Sequence, residues 1–339
     1  MLRSRTSGVI AHMTQHRGRF APTPSGRMHL GNACTALLAW LSARSKNGTI
    51  ALRLEDLDRP RCRPEYEQGL IEDLRWLGFD WDEGPDVGGQ HAPYRQSERE
   101  PVYREAFERL LSKNLVYPCF CSRKDVLQSA NAPHGLTSEG PAYLGRCRGL
   151  SSAERERLAS IRRPSWRFAL PDRPVSFRDE VHGFVAFEAG AGGDFIVRRS
   201  DGVYAYQLAV VVDDAEMGVT EVWRGSDLLD STPRQLLLFE ALELRPPAYA
   251  HAPLWLGPDG RRLSKRHGEE ITLQRLRASG IAAERVVGWL AYRCGLIDRP
   301  EPAKPRELVE RFIPSRVVRE PIRLSQRDLT ALTEGVFTT

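Results

Sequence analysis

Short apolar runs and turn-forming residues alternate over the first part of the chain. The run at 19–21 predicts a short strand, which ends at the proline- and glycine-containing turn 22–26. Leucines recur on one face over 32–45, which predicts a helix, and the apolar run 49–54 predicts a buried strand. A strand, a loop, a helix and a second strand in this order form a βαβ unit, which is typical of a parallel α/β sheet.

The rest of the chain continues as a mixture of helices and strands. Periodicity predicts helices over 65–80, 100–115, 154–158 and 232–244, and a helical tail with segments near 271–279, 282–296 and 305–312. Strand-like alternation covers 166–187, and the apolar run within 204–214 predicts a buried strand that ends at two acids. Residues 117–150 are rich in Cys, Gly, Pro and Arg, and we expect an irregular inserted module there.

Composition places the chain among globular proteins without narrowing its function. Of its 339 residues, 41% are hydrophobic and 27% are charged, which is ordinary for a soluble protein. This length suffices for two or three domains. The sequence has no apolar run long enough to span a bilayer and no signal-peptide order at its start, so we expect a cytoplasmic protein.

The positive charge is concentrated near the C-terminus. From Arg245 onward there are 17 Lys and Arg against 11 Asp and Glu, whereas the whole chain has a net charge of +5. This surplus favours a phosphate-rich partner at the tail, although a solvated surface is the plainer interpretation.

Two segments have the composition of a phosphate site. In 21–32, prolines stiffen the loop, and His29 and Asn32 are spaced to face the same way at a helix start. Gly31 lets a nucleotide approach the backbone, and the helix N-terminus offers free N–H groups. In 261–268, four cations accompany a serine. Taken alone, segment 21–32 is also explained by a capped helix with a surface histidine, and segment 261–268 by a solvated basic turn.

Together, the two segments resemble a known pair of signatures. H-x-G-N after a first strand, followed about 230 residues later by L-S-K-R, is similar to the signatures of class I aminoacyl-tRNA synthetases. Segments 19–26, 52–58, 204–214 and 222–228 resemble the glutamyl-tRNA synthetase branch, so the resemblance covers about 18–270. It implies an ATP-dependent ligase of α/β class. The implied fold is a Rossmann-type parallel sheet with an inserted zinc-containing subdomain and a short helical C-terminal part.

The resemblance points to an amino-acid site that simple chemistry supports. Glutamate carries two carboxylates and one ammonium, so Arg19 and Arg224 suit the carboxylates and Glu55 suits the ammonium. The plainer alternatives are surface ion pairs, such as Arg53 with Glu55, and a core position for Tyr206. The implied glutamate site comprises Arg19, Phe20, Ala21, Pro22, Thr23, Glu55, Tyr206 and Arg224.

The resemblance also implies a nucleotide site. Its second signature reads R-L-S-K-R instead of the generic K-M-S-K-S, and the serine and second lysine are kept. ATP would bind with Mg²⁺, and His29, Asn32 and Lys265 would act in catalysis. The implied ATP-binding residues are His29, Gly31, Asn32, Leu263, Ser264 and Lys265.

Cysteine spacing predicts a metal site. Disulfides are not expected in a cytoplasmic chain, and Cys119, Cys121 and Cys147 fall within 29 residues. Tetrahedral Zn²⁺ takes four ligands, and His134 is the conventional fourth on chemistry alone. The pattern C-x-C…Y-x-x-x-C resembles the zinc site of glutamyl-queuosine tRNA(Asp) synthetases, shortened paralogues of glutamyl-tRNA synthetases, and thereby favours Tyr143. Four protein ligands make such a site structural, and the alternative is three buried free thiols.

The tail bears on the second substrate. About 70 residues follow Lys265, which leaves room for a few helices but not for a whole anticodon-binding region. The resemblance therefore favours the shortened paralogues, which activate glutamate without tRNA and transfer it to queuosine in the anticodon loop of tRNA(Asp). We expect a monomer whose basic tail helps to hold tRNA phosphates. The alternatives are a truncated glutamyl-tRNA synthetase that charges the 3′ end of tRNA(Glu), and a non-catalytic tRNA-binding paralogue.

The domain organisation implied by the resemblance has five parts. They are a disordered leader at 1–17, the first half of the catalytic domain at 18–116, the zinc-binding insertion at 117–190, the second half with the L-S-K-R loop at 191–270, and a short helical tail at 271–339.

Overall fold

The computed structural model describes residues 15–122, 124–126, 142–143, 145–263 and 271–334. Its helices are α1 (Leu30–Ser45), α2 (Pro64–Trp76), α3 (Glu100–Ser112), α4 (Ser152–Ala159), α5 (Tyr206–Glu216), α6 (Thr232–Ala241), α7 (Leu273–Ala278), α8 (Ala283–Arg293) and α9 (Gln326–Glu334). Its strands are β1 (Arg17–Phe20), β2 (Thr49–Leu52), β3 (Val116–Cys119), β4 (Ser165–Phe168), β5 (Val175–Asp179), β6 (Gly183–Phe187), β7 (Phe195–Arg198), β8 (Glu221–Gly225), β9 (Ala248–Ala252), β10 (Trp255–Leu256) and β11 (Ile322–Arg323).

Parallel strand pairs form the centre of the fold. β1 pairs with β2, and β8 pairs with β9, both in parallel register. Arg17 joins the two pairs, because its carbonyl accepts a hydrogen bond from the backbone N–H of Thr220 at 2.9 Å. Helix α1 connects β1 to β2 and also packs against β8. The predicted βαβ unit is confirmed, and β1 begins at Arg17, the last residue of the predicted leader.

The antiparallel strands of the fold lie mostly after the segment 117–150 that was predicted to be irregular, and β4, β5 and β6 agree with the strand-like alternation predicted over 166–187. β3, β4 and β7 form an antiparallel sheet, and β5 and β6 form an antiparallel hairpin whose first strand also meets β9 in parallel. β3 lies within the part expected to be irregular. It is stabilised by pairing with β4, about 45 residues further along the chain, which a local pattern does not reveal.

The prediction of a buried strand within 204–214 is wrong. This segment forms α5, and residues 207–214 are buried on every side of the helix. A short apolar run that is buried all round has neither strand nor helix periodicity, and three consecutive valines bias the interpretation towards a strand. As helical neighbours, Asp213 and Asp214 project in directions about 100° apart and contact different partners.

The C-terminal tail packs against the central helix instead of forming a separate unit. Residues of α8 and of the segments after it share one apolar core with α1. The Sγ atoms of Cys34 on α1 and Cys294 just after α8 lie 2.6 Å apart. The helix predicted near 305–312 is a single 3₁₀ turn at Pro305–Leu308. Within the described ranges, no helix is long and apolar enough to cross a membrane.

Candidate active site

The first signature surrounds the N-terminus of α1. His29 is the N-cap residue in extended conformation, and Asn32 is half-buried in the first helical turn. A Cβ added at Gly31 would lie 3.2 Å from both the Trp255 Cβ and the His29 Cε1. A glycine at this position therefore lets β10 pack closely against the helix start.

Both flanks of the second signature lie beside the first. The backbone N–H of Leu263 donates to the Trp255 carbonyl at 2.7 Å, so the chain enters the loop next to Gly31. It leaves the loop next to His29, because the Leu273 N–H donates to the Met28 carbonyl at 3.0 Å. Ser264 and Lys265 lie between these anchors, in the segment 264–270 outside the described residues.

The predicted glutamate-binding loop continues the parallel pairing of β1 and β2. The N–H of Arg53 donates to the Phe20 carbonyl at 2.9 Å, and the N–H of Glu55 donates to the Pro22 carbonyl at 3.0 Å. This pairing brings residues 19–23 and Glu55 to the carboxyl edge of the two strands. Ligands of open α/β sheets bind at that edge.

Arg53 and Glu55 form a buried ion pair, so the interpretation as a surface pair is wrong. Arg53 is fully buried, and its guanidinium lies 2.7 Å from Asp214 and 3.2 Å from Glu55. Burial raises the pKa of Glu55, although Arg53 and Arg19 oppose the rise. Arg19 lies 3.5 Å from Asp214 and donates to the Trp223 carbonyl at 3.0 Å. Arg19, Arg53, Glu55 and Asp214 thus form one network of paired charges.

Tyr206 packs against the edge of an apolar core and is also within the influence of the charged groups. It is half-buried at the first position of α5. Burial raises the pKa of its phenol, and the charges that act on it belong to Glu55, Arg224 and Arg19. The charges of three predicted residues of the glutamate site, Arg19, Glu55 and Arg224, therefore act on the phenol of a further one, Tyr206.

Sequence reasoning missed the residues that hold Arg224. Its Nε donates to the His251 Nε2 at 3.0 Å, and its terminal nitrogens donate to Gln235 and Thr232, each at 2.7 Å. The His251 Nδ1 lies 2.6 Å from Asp179 Oδ2. The available signal was one histidine within the short apolar run of β9.

The sequence shows two acids, Asp213 and Asp214, at the end of the apolar run within α5, but it did not predict their partners. Asp213 accepts hydrogen bonds from Arg99, Gln96 and Tyr103, whose donors lie 2.7–2.9 Å away. Asp214 accepts a hydrogen bond from the guanidinium of Arg53. A helical interpretation of this segment would have placed both acids on buried faces and raised the question of their cationic partners.

The three predicted cysteine ligands come together. The Sγ atoms of Cys119, Cys121 and Cys147 all lie within 4.8 Å of one another. The Tyr143 hydroxyl lies 3.4 Å from the Cys119 Sγ and 3.5 Å from the Cys121 Sγ, and accepts from the Cys147 N–H at 2.9 Å. His134, the other predicted candidate, lies outside the described residues.

The surroundings of the cluster favour thiolate character at one cysteine. Burial opposes ionisation of Cys119, but hydrogen bonds from Tyr143 and Arg167 lower its pKa on balance. The Arg167 Nε lies 3.3 Å from the Cys119 Sγ, and its guanidinium lies 3.9 Å from the centre of the Tyr143 ring. Such a cation stabilises the anionic ligands that a metal needs.

Comparison with known proteins agrees with this architecture. Residues 15–319 match the family of class I tRNA synthetases (E and Q), catalytic domain. The chain is 59% identical over 319 residues to the glutamyl-Q tRNA(Asp) synthetase of Symbiobacterium thermophilum, covering 94% of this chain and 98% of that protein. It is 49% identical over 297 residues to the glutamyl-Q tRNA(Asp) synthetase of Nitratidesulfovibrio vulgaris, covering 86% and 90% of the two chains.

Longer relatives and a solved structure show the same core. Glutamate–tRNA ligase 2 of Syntrophus aciditrophicus is 46% identical over 279 residues, which make up 82% of this chain but 57% of the ligase. The crystal structure of glutamate–tRNA synthetase from Elizabethkingia anophelis aligns with a TM-score of 0.81 at 30% identity, over 94% of this chain and 70% of that one. With both flanks of the second signature lying beside the first, the chain belongs to the glutamate and glutamine family of class I tRNA synthetases and is a ligase of that family.

Proposed function

We propose that this protein activates glutamate with ATP and transfers it to queuosine in the anticodon loop of tRNA(Asp). The observation that supports the first half is that the charges of Arg19, Glu55 and Arg224 act on the phenol of Tyr206, with Glu55 at the carboxyl edge of β1 and β2. The extensive identity to glutamyl-Q tRNA(Asp) synthetases supports the second half.

The charges of the pocket match those of glutamate. Arg224 and Arg19 are buried cations suited to the two carboxylates, and Glu55, whose side chain is 10% exposed, is an acid suited to the ammonium. The ammonium of the substrate would favour the ionised form of Glu55, whose pKa is raised by burial in the free protein. The Tyr206 hydroxyl is placed to donate to the substrate between these groups.

The first chemical step needs charge neutralisation more than covalent catalysis. A glutamate carboxylate oxygen attacks the α-phosphorus of ATP, the α–β phosphoanhydride bond breaks, and pyrophosphate leaves. His29, Asn32 and the free N–H groups of α1 are positioned for the phosphates, and Lys265 would reach them from the loop anchored on both sides of His29. Mg²⁺ bound with ATP would neutralise phosphate charge.

In the second step, a queuosine hydroxyl attacks the adenylate carbonyl. The new ester bond forms as the mixed anhydride bond breaks, and AMP leaves with its phosphate able to take the hydroxyl proton. The residues proposed to bind glutamate would hold the glutamyl group in place during this transfer.

The cysteine cluster fits a structural Zn²⁺ ion. With Zn–S bonds of about 2.3 Å, tetrahedral geometry places sulfurs about 3.8 Å apart and an oxygen ligand about 3.5 Å from each sulfur. The Sγ atoms of Cys121 and Cys147 lie 3.6 Å apart, and the Tyr143 oxygen lies 3.4 and 3.5 Å from two sulfurs. Cys119, Cys121, Tyr143 and Cys147 would hold the ion and leave no position for substrate.

ATP–pyrophosphate exchange with glutamate, measured with and without tRNA, tests the proposal. We expect exchange without tRNA. After incubation with labelled glutamate, tRNA(Asp) that contains queuosine should be digested with nuclease. We expect the label on the modified nucleoside. Exchange that needs tRNA, with labelled glutamate recovered on the 3′-terminal adenosine after nuclease digestion, would instead support a glutamyl-tRNA synthetase.

A further inference from the structure

Three neighbouring strands present a row of polar side chains that leads into the pocket. Arg224 on β8 and His251 on β9 are direct register partners, and Asp179 on β5 meets β9 two residues before His251. His251 and Asp179 are almost completely buried, and Arg224 is 4% exposed. All three side chains of the row are therefore buried.

The hydrogen bonds fix which nitrogen of His251 carries the proton. Asp179 Oδ2 lies 2.6 Å from Nδ1, so Nδ1 is the donor in the neutral ring. Nε2 is then an acceptor, and it meets the Arg224 Nε–H at 3.0 Å. Burial lowers the pKa of His251 to about 4, so the ring stays neutral at physiological pH.

Arg224 keeps its full positive charge for the pocket. A guanidinium has five N–H donors, and three of them go to His251, Gln235 and Thr232. Among the described residues these acceptors are all uncharged, in contrast to the carboxylates that pair with Arg53. One N–H remains on each terminal nitrogen, which is the set that a carboxylate accepts in bidentate fashion.

We propose that Asp179 and His251 are positioning residues for glutamate, acting by orienting Arg224 without neutralising it. Asp179 fixes the tautomer of His251, and His251 accepts from the arginine as an uncharged partner. The inference rests on the proposed activation of glutamate, because it assigns Arg224 to a carboxylate of that substrate.

Substitutions at His251 separate orientation from packing. His251→Phe keeps a ring but removes the acceptor, and we expect the KM for glutamate in ATP–pyrophosphate exchange to rise about 10-fold or more, with the KM for ATP unchanged. His251→Gln restores an acceptor oxygen near the position of Nε2 and should recover most of the loss. Ser42→Ala, which removes an equally buried hydrogen bond to Glu221 away from the pocket, is the matched control for stability.

Asp179→Asn tests the tautomer itself. The three backbone N–H groups that bond Asp179 Oδ1 keep an acceptor oxygen, while the new amide NH₂ faces the His251 Nδ1. The ring must then carry its proton on Nε2, which opposes the Arg224 Nε–H. We expect the same rise in the glutamate KM as in His251→Phe, and no further rise in the double variant.

The outcomes distinguish this inference from the proposed function. Wild-type protein without glutamate-dependent exchange would contradict the function itself. If the wild-type protein does catalyse exchange, three results would overturn the positioning role alone. They are an unchanged glutamate KM in Asp179→Asn, a rise in the ATP KM that parallels the rise in the glutamate KM in His251→Phe, and no recovery in His251→Gln.

Discussion

His29 and Thr272 form an antiparallel bridge, so the chain that leaves the second signature returns to the first. The neighbouring hydrogen bond from Leu273 to Met28 strengthens this contact. The loop that contains Lys265 is thus tied at its exit to the cap residue of α1. At its entrance it is tied to Trp255 beside Gly31.

This arrangement predicts that Lys265 acts in glutamate activation and not in folding. Lys265→Ala should lower the rate of ATP–pyrophosphate exchange by orders of magnitude, because a point charge at the transferring phosphates is lost. The melting temperature should stay near that of the wild type. Lys113→Ala, at an exposed lysine paired with Glu243, is the control for loss of a lysine. An exchange rate in Lys265→Ala like that of the wild type would remove this lysine from the mechanism.

The zinc ligand set can be tested by metal content. Cys147→Ser should abolish stoichiometric zinc, and Tyr143→Phe should release zinc at a lower chelator concentration because only the oxygen is lost. His134→Ala should behave like the wild type. Zinc lost from the His134 variant and kept in the Tyr143 variant would reverse the assignment of the fourth ligand.

Gly193 is predicted to be essential for the position of Tyr143. Its φ is +66°, and an added Cβ would overlap the backbone N and O of Tyr143. Gly193→Ala should therefore lower stability by more than the ~1 kcal/mol that a positive φ alone costs alanine, and should weaken zinc retention. Gly183→Ala provides the comparison, since its φ is +77° but an added Cβ has open space. Equal melting temperatures in the two variants would contradict a steric clash between the added Cβ and the backbone of Tyr143.

The buried carboxyl of Asp73 is predicted to make the protein less stable as the pH rises. Burial raises its pKa to about 6, against the lowering by Arg277, whose guanidinium lies 3.7 Å away. Between about pH 4 and 6 the folded protein holds a proton that the unfolded chain has released, so the free energy of unfolding falls as the pH rises through this window. Asp73→Asn should be more stable than the wild type by ~1–2 kcal/mol at pH 7.5 and about equal to it near pH 4.

Urea titrations at these two pH values measure the difference. Glu72→Gln, at the exposed neighbour that also pairs with Arg277, is the control. A constant difference between Asp73→Asn and the wild type at both pH values would mean that the carboxyl does not titrate in this window.

The arginines of the tail are predicted to differ in their contribution to tRNA binding. All three are exposed, and Arg311 and Arg316 already pair with Glu301 and Asp298, whereas Arg319 has no ion pair among the residues that the structure describes. Arg319→Glu should therefore weaken tRNA binding more than Arg316→Glu, and should reduce the slope of log affinity against log salt by roughly 0.7–0.9 for one lost phosphate contact. Unchanged affinity and slope in a variant with all three arginines reversed would show that the tail does not bind tRNA.

Several features of the site followed from the sequence because short motifs carried them. The spacing of His29, Gly31 and Asn32 at a helix start depends on local backbone geometry, and the helix begins at Leu30. The cysteine spacing likewise anticipated the cluster, because only a few covalent bonds separate Cys119 from Cys121.

Other features depended on contacts between residues far apart in the chain. The apolar run within α5 was misread because complete burial erases periodicity, and its acids gained meaning only from Arg53 and Arg99, more than 110 residues away. His251 became a candidate only when the register of β8 and β9 set it opposite Arg224. The sequence by itself determined the family, the signatures and the ligand types, since these depend on residue identity and local spacing. Only the tertiary structure decided which arginine pairs with carboxylates and which one bonds uncharged acceptors, because strand pairing and burial set those distances and the strength of the interactions.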